Sequence, residues 1–212
     1  LTLDATLSDR IRIQNPETNR FKPFAAFFAH SGDSWFIEIA LFLLWLFTVG
    51  ALHQMVALMA GAVVVLALLV LGIKFTIRRQ RPDGEWGAIY RNTDPHSFPS
   101  GHAARTAMLA TLALGLGFTW LGILLLVWML LVSLARVWMG VHYLSDVVAG
   151  IVLGVLFGWF MTATAQWFYA LLPWVFSDHS SLIAFLLFPV ILKSNRNFAG
   201  GTMDSLDQFD LI

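Results

Sequence analysis

Three stretches of the chain run without a charged side chain: Met55–Ile73 for 19 residues, and Thr106–Ala135 and Val147–Phe176 for 30 each. A helix needs about 20 apolar residues to cross the hydrocarbon of a bilayer. Met55–Ile73 predicts one span, and Trp35–Leu52, apolar apart from Glu38, predicts another. The two longer runs exceed one straight crossing. The first divides near Gly115-Leu116-Gly117 into spans over 101–117 and 119–138. The second yields a span over 145–165, and its remainder, 166–176, ends at Leu172-Pro173-Trp174. A shorter apolar segment, Leu182–Leu192, contains Pro189 and either crosses or lies at the interface. The expected fold is all-α: a polytopic membrane bundle of five to six transmembrane helices, preceded by an interfacial amphipathic helix.

Composition points the same way. The chain is 58% hydrophobic and 12% charged, against about 25% charged in soluble domains. A soluble domain of 212 residues cannot hide nine Trp and 18 Phe besides, so the bilayer is an expected partner. A formal net charge of zero gives no reason to expect nucleic acid. With no Cys, disulfides and thiolate metal sites are excluded. Residues 1–22 are polar and show no cleavable signal sequence. The expected organisation is an interfacial segment over 1–33, a membrane-embedded domain over 34–193 and a polar tail over 194–212. In the first, Phe21, Phe24, Phe27 and Phe28 with Ala25 and Ala26 form an apolar helical face. Ser31-Gly32-Asp33-Ser34 reads as a break and cap.

The charges cluster. All 13 Lys and Arg fall within 10–22, 74–105, Arg136 and 193–196. Arg78, Arg79 and Arg91 read as headgroup anchors on a cytoplasmic loop. Lys74, Arg81 and Arg136 have polar company of matching chemistry. Lys74 and Arg81 are seven apart, so a continuing helix puts both on one face, where they can hold a doubly charged phosphate until Pro82 stops the helix. Pro99 and Ser100 are helix-start residues, and a helix N-terminus there is an anion site. Gly101 allows close approach to its backbone, and His102 sits at its lip. His142 and Asp146, four apart, share a face if both lie on a helix, so that Asp146 can accept a hydrogen bond from the His142 Nδ1–H and leave Nε2 free. The turn near Gly115–Gly117 brings Arg136 and His142 back to the membrane side of Lys74, Arg81 and His102.

Together Lys74-x6-Arg81-Pro82, Pro99-Ser100-Gly101-His102 and Arg136-x5-His142-x3-Asp146 resemble the three-part signature of the type 2 phosphatidic acid phosphatase superfamily. The resemblance runs from about Lys74 to Gly154. Ala135 stands where the family usually has Ser. The resemblance implies a membrane lipid phosphatase, acting on a lipid phosphate such as a polyprenyl pyrophosphate, phosphatidate or phosphatidylglycerophosphate. It implies that His142 attacks phosphorus, Asp146 orients it, and His102 serves as acid and then base. Lys74, Arg81, Arg136, Ser100 and Gly101 hold the phosphoryl oxygens, with no metal and no cofactor. The alternative is a non-catalytic scaffold subunit that keeps the fold. A vanadate haloperoxidase fits poorly, because those relatives are soluble. A transporter fits poorly, because the charges sit at helix ends and not at the midplane. Loop 83–98, with Glu85, Trp86, Tyr90 and Asp94, is the expected selector of substrate. The expected location is the cell membrane. Positive charge marks the active-site side as cytoplasmic, whereas many bacterial relatives act on the outer side.

Overall fold

The computed structural model describes residues 2–12, 19–83 and 94–177. Among these, every regular element is helical: α1 (Thr2–Ile11), α2 (Lys22–Ser31), α3 (Ser34–Phe47), α4 (Gly50–Ile77), α5 (Gly101–Gly115), α6 (Thr119–Trp138), α7 (Leu144–Ala163), α8 (Ala165–Leu171) and α9 (Pro173–Phe176). The protein is an integral membrane protein of the all-α class. Helices α4, α6 and α7 are long and apolar enough to cross a bilayer, and α2 with α3, bent by 60°, passes the same test as a pair. The segment Leu182–Leu192, expected to cross or to lie at the interface, and the polar tail lie outside the described residues.

Helix α5 has 15 residues and sits inside the others. All of its residues from Gly101 to Ala113 except Thr111 are buried. It packs against α4, α6 and α7, so it meets protein, not lipid, over most of its length. Its close neighbour is α7, along Gly150, Gly154 and Gly158. A Cβ on Gly154 would stand 2.1 Å from the Ala104 carbonyl oxygen, and one on Gly150 2.5 Å from that of Ser100. Small residues at this seam let the two backbones touch, the usual way helices associate where lipid offers no hydrophobic drive. The core beside it is built from Leu58, Ala62, Leu66 and Val70 of α4 with Ala104, Met108 and Leu112 of α5.

The turn between α5 and α6 falls where the glycines predict. Gly117 has φ +87, and the Phe118 N–H closes onto the Ala113 carbonyl at 2.8 Å. The α3–α4 boundary differs from expectation. The break is at Thr48-Val49, not at His53-Gln54, and α4 starts at Gly50. His53 is fully buried inside the helix and is tolerated there because both ring nitrogens have polar partners. Its ring nitrogens lie 3.0 Å from the Trp45 carbonyl and 3.2 Å from that of Val175.

Helix α2 forms as predicted and packs on the bundle through its small residues. Ala25 and Ala29 are buried beside Ala135, Met139 and Val141. Phe21, Phe24 and Phe27 are exposed and face the lipid or its interface. The small residues permit close packing on α6, and the aromatic ones suit the membrane boundary.

Candidate active site

Four helix ends meet at one level of the bundle: the C-termini of α4 and α6 and the N-termini of α5 and α7. Lys74 comes from the last turn of α4 and is buried. The helix does not continue to Arg81, as the seven-residue spacing had suggested. It stops at Ile77, and Arg78 caps it in the left-handed region at φ 52. The chain then runs extended, and Gln80 bridges His96 in antiparallel fashion. That bridge brings Asp94 beneath both cations. The Arg81 Nη2 donates to Asp94 Oδ2 at 2.8 Å, its Nε to the Asp94 carbonyl at 2.7 Å, and the Lys74 ammonium pairs with the same carboxylate.

Arg81 also reaches the third motif. Its Nη1 donates to the Val141 carbonyl at 2.8 Å and lies 3.3 Å from His142 Nε2. A guanidinium only donates, so this contact puts a lone pair on Nε2 and the ring proton on Nδ1. His142 Nδ1 lies 3.6 Å from Asp146 Oδ2. The two are not on one helix face, because α7 starts at Leu144 and His142 precedes it. They meet because Asp146 caps that helix. Its Oδ2 accepts the Tyr143 N–H at 2.9 Å. Gly140, at φ +66, makes the turn that leads into His142.

Arg136, on the last turn of α6, is the largest fully buried side chain, and its Nη1 donates to the Ala29 carbonyl at 3.1 Å. Ser100 is the N-cap of α5. Its N–H donates to the Asp146 carbonyl at 2.9 Å, which ties the second motif to the third. Its buried hydroxyl has no hydrogen-bond partner among the described residues. Lys74, Asp94, Gly101, His102 and His142 line one cavity of about 660 Å³. The two histidines predicted to act together therefore face the same space, on one side of the bundle.

Burial lowers the His142 pKa well below its ordinary value, and Arg136, Arg81 and Lys74 push it the same way. A neutral imidazole among fixed cations is the form that can attack an electrophile.

The PAP2 superfamily model matches residues 51–170, more than half of the chain. The chain belongs to the PAP2 superfamily. Decaprenylphosphoryl-5-phosphoribose phosphatases from two strains of Mycobacterium tuberculosis are 44% identical to it over 103 residues. That alignment takes in 47% of this chain and 54% of the relative, so the chain spans about half the length of the curated relatives it matches. Two solved structures share the fold. One is the transmembrane PAP2 type phosphatidylglycerolphosphate phosphatase of Bacillus subtilis (TM-score 0.58, 24% identity, 78% of this chain and 85% of that one). The other is LpxE of Aquifex aeolicus (TM-score 0.59, 23% identity, 77% and 96%).

Several residues at this PAP2 site escaped the sequence reading. Arg79, assigned there to the headgroups, instead donates to Asp146 Oδ1 at 2.7 Å and to Asp4 Oδ2 at 2.5 Å, and lies 4.1 Å over the Tyr143 ring. Asp4 in turn accepts the Ser145 N–H at 3.1 Å, so α1 caps α7 from outside. Asp33 is the N-cap residue of α3, within the expected cap, but its Oδ1 also lies 2.7 Å from His102 Nε2. The ring of His102 is buried behind that contact and not on an open lip. Arg105, one turn further along α5, is buried beside it. Asp94, expected to select substrate, binds the two cations of the first motif. Glu85, Trp86, Tyr90 and Arg91 lie outside the described residues.

Proposed function

We propose that the protein is a membrane lipid phosphatase that hydrolyses a phosphomonoester or pyrophosphate of a lipid through a phosphohistidine at His142. The observation that carries this reading is the single cavity shared by His102, His142 and Lys74, with Arg81 bonded at its wall and Arg136 buried close by. Phosphoryl transfer asks mainly for positioning and for stabilisation of charge on the equatorial oxygens. Lys74, Arg81 and Arg136 supply three cations, and the unpartnered Ser100 hydroxyl and the amides that open α5 supply neutral donors.

In this mechanism the Nε2 lone pair of His142 attacks phosphorus, and the bond from phosphorus to the lipid oxygen breaks. His102, whose Nε2 is paired with Asp33, gives that oxygen its proton. Asp146 stabilises the Nδ1 side of the His142 ring as positive charge grows there. A water molecule then loses its proton to His102 and attacks phosphorus, the bond to His142 breaks, and inorganic phosphate leaves. No step calls on a metal ion.

The site opens beside apolar helices, which favours a substrate whose tail stays in the bilayer. The likeness to decaprenylphosphoryl-5-phosphoribose phosphatase favours a polyprenyl-linked phosphate over a glycerolipid. The cell membrane is the proposed location. The test is phosphate release by the purified full chain from a panel: polyprenyl phosphate, polyprenyl pyrophosphate, a polyprenylphosphoryl-phosphoribose, phosphatidate and phosphatidylglycerophosphate. The expected result is release from a polyprenyl substrate that survives EDTA and is inhibited by vanadate. Release abolished by EDTA would overturn the metal-free mechanism. No release from any substrate would favour a scaffold role.

A further inference from the structure

The phosphate chemistry leaves one buried cation of the cavity unused. Arg105 is 7% exposed and lies one turn beyond His102 on α5. One edge of its guanidinium is fixed. Nε and Nη2 donate to the Gly32 carbonyl at 3.4 and 3.1 Å, and Nη2 lies 3.4 Å from His102 Nδ1. The other nitrogen, Nη1, has no hydrogen bond among the described residues. It stands 3.3 Å from where a Cβ on Gly101 would be, over the turn that opens α5. Arg105 lines the same cavity as Lys74 and His142.

The nearby carboxylates do not claim Nη1. Asp33 is engaged by His102, and Asp94 by Lys74 and Arg81. Glu38 lines a different, largely apolar cavity with Phe42 and Trp45. The rest of the wall near Arg105 is Ser34 and the apolar Trp35, Ala67, Val70 and Leu71. At about 660 Å³ the space is in the range that holds a whole small ligand, more than one phosphate needs. It therefore has two cationic poles: Lys74 with Arg81 beside His142, and Arg105 beside His102.

We infer that Arg105 forms a second anion subsite, which takes a second phosphate group of the substrate while Lys74, Arg81 and Arg136 hold the one that is cleaved. The inference rests on the lipid phosphatase reading and narrows it: the preferred substrate carries two phosphates, either as a diphosphate or as a monoester plus a phosphodiester. A planar guanidinium fixed along one edge presents its free edge without further loss of side-chain freedom, which suits an oxyanion.

The test compares wild type with Arg105→Gln, which retains a donor for the Gly32 carbonyl, on substrates sharing one polyprenyl tail. These are the monophosphate, the diphosphate and the phosphoribosyl phosphodiester. The ratio of kcat/KM for a two-phosphate substrate over the monophosphate is expected to fall about tenfold or more. Whichever two-phosphate substrate loses more identifies the source of the second group. An unchanged ratio overturns the subsite, because Arg105 then serves the cleaved phosphate or the fold alone. A second measurement does not depend on turnover. Methylenediphosphonate should raise the unfolding midpoint of wild type more than inorganic phosphate does, and Arg105→Gln should erase that difference. An equal response in the variant overturns the subsite. Absence of turnover in wild type, with the binding difference intact, would overturn only the phosphatase reading.

Discussion

Arg79 donates from Nη1 to Oδ1 of Asp146 at 2.7 Å, and this pair is the hidden support of the site. The Asp146 carboxylate is fully buried. Its other oxygen caps α7 and faces His142 Nδ1. Removing Arg79 would leave a buried charge with weakened compensation, a loss that typically costs about 3–5 kcal/mol. Arg79→Ala is expected to lower both the thermal midpoint in detergent and kcat, and Arg79→Lys to recover part of each. A headgroup anchor would behave differently: Arg79→Ala would leave kcat unchanged, and turnover together with thermal melts separates the two.

His102 and Asp33 are expected to act on the leaving group. A general acid typically contributes about 10²–10⁴-fold, and it matters less when the leaving group is already a weak base. His102→Ala and Asp33→Asn should therefore slow hydrolysis of a lipid phosphate far more than hydrolysis of p-nitrophenyl phosphate. Equal slowing of both would place these residues in substrate binding instead.

The seam between α5 and α7 carries a stability prediction. Gly154→Ala puts a methyl group 2.1 Å from the Ala104 carbonyl oxygen, so the helices must separate. Overpacking of this kind costs about 1–3 kcal/mol, and it moves Ser100 relative to Asp146. Gly61→Ala, with nothing within 4 Å of the added methyl, is expected to leave stability and activity near wild type. Thermal melts of the two variants check the contrast.

What the sequence disclosed follows from how far each signal reaches. The break at Gly115–Gly117 and the start of α5 were legible because capping and positive φ are local properties. So was the grouping of Lys74, Arg81, His102, Arg136 and His142, because their motif spacings and the helix lengths send them to one side. Arg79 and Asp33 were not legible, since their partners Asp146 and His102 lie 67 and 69 residues away. Nothing beside Arg79 in sequence distinguishes it from Arg78. The packing of α2 through Ala25 and Ala29 was not legible either, because close packing in a membrane prefers small residues that a hydrophobic scale ranks below Phe.

The depressed pKa of His142 also sets a dependence on pH. The ring stays neutral in the folded protein below its ordinary value of 6.5, whereas the unfolded chain takes up a proton there. Stability tied to this group is fully present above about pH 6.5. It is lost as pH falls towards the folded pKa, at about 1.4 kcal/mol per pH unit. His142→Ala should flatten this part of the curve, as unfolding midpoints measured from pH 7 downwards would record. An identical slope in the variant would assign the acid loss to other groups.

The most direct test of the central claim is to mix the full chain with ³²P-labelled lipid phosphate, quench in alkali during turnover and map the label. The account predicts an acid-labile, base-stable phosphoryl group on residue 142, and neither label nor turnover in His142→Ala. Turnover at the wild-type rate in that variant, with no label at residue 142 in either protein, would contradict it.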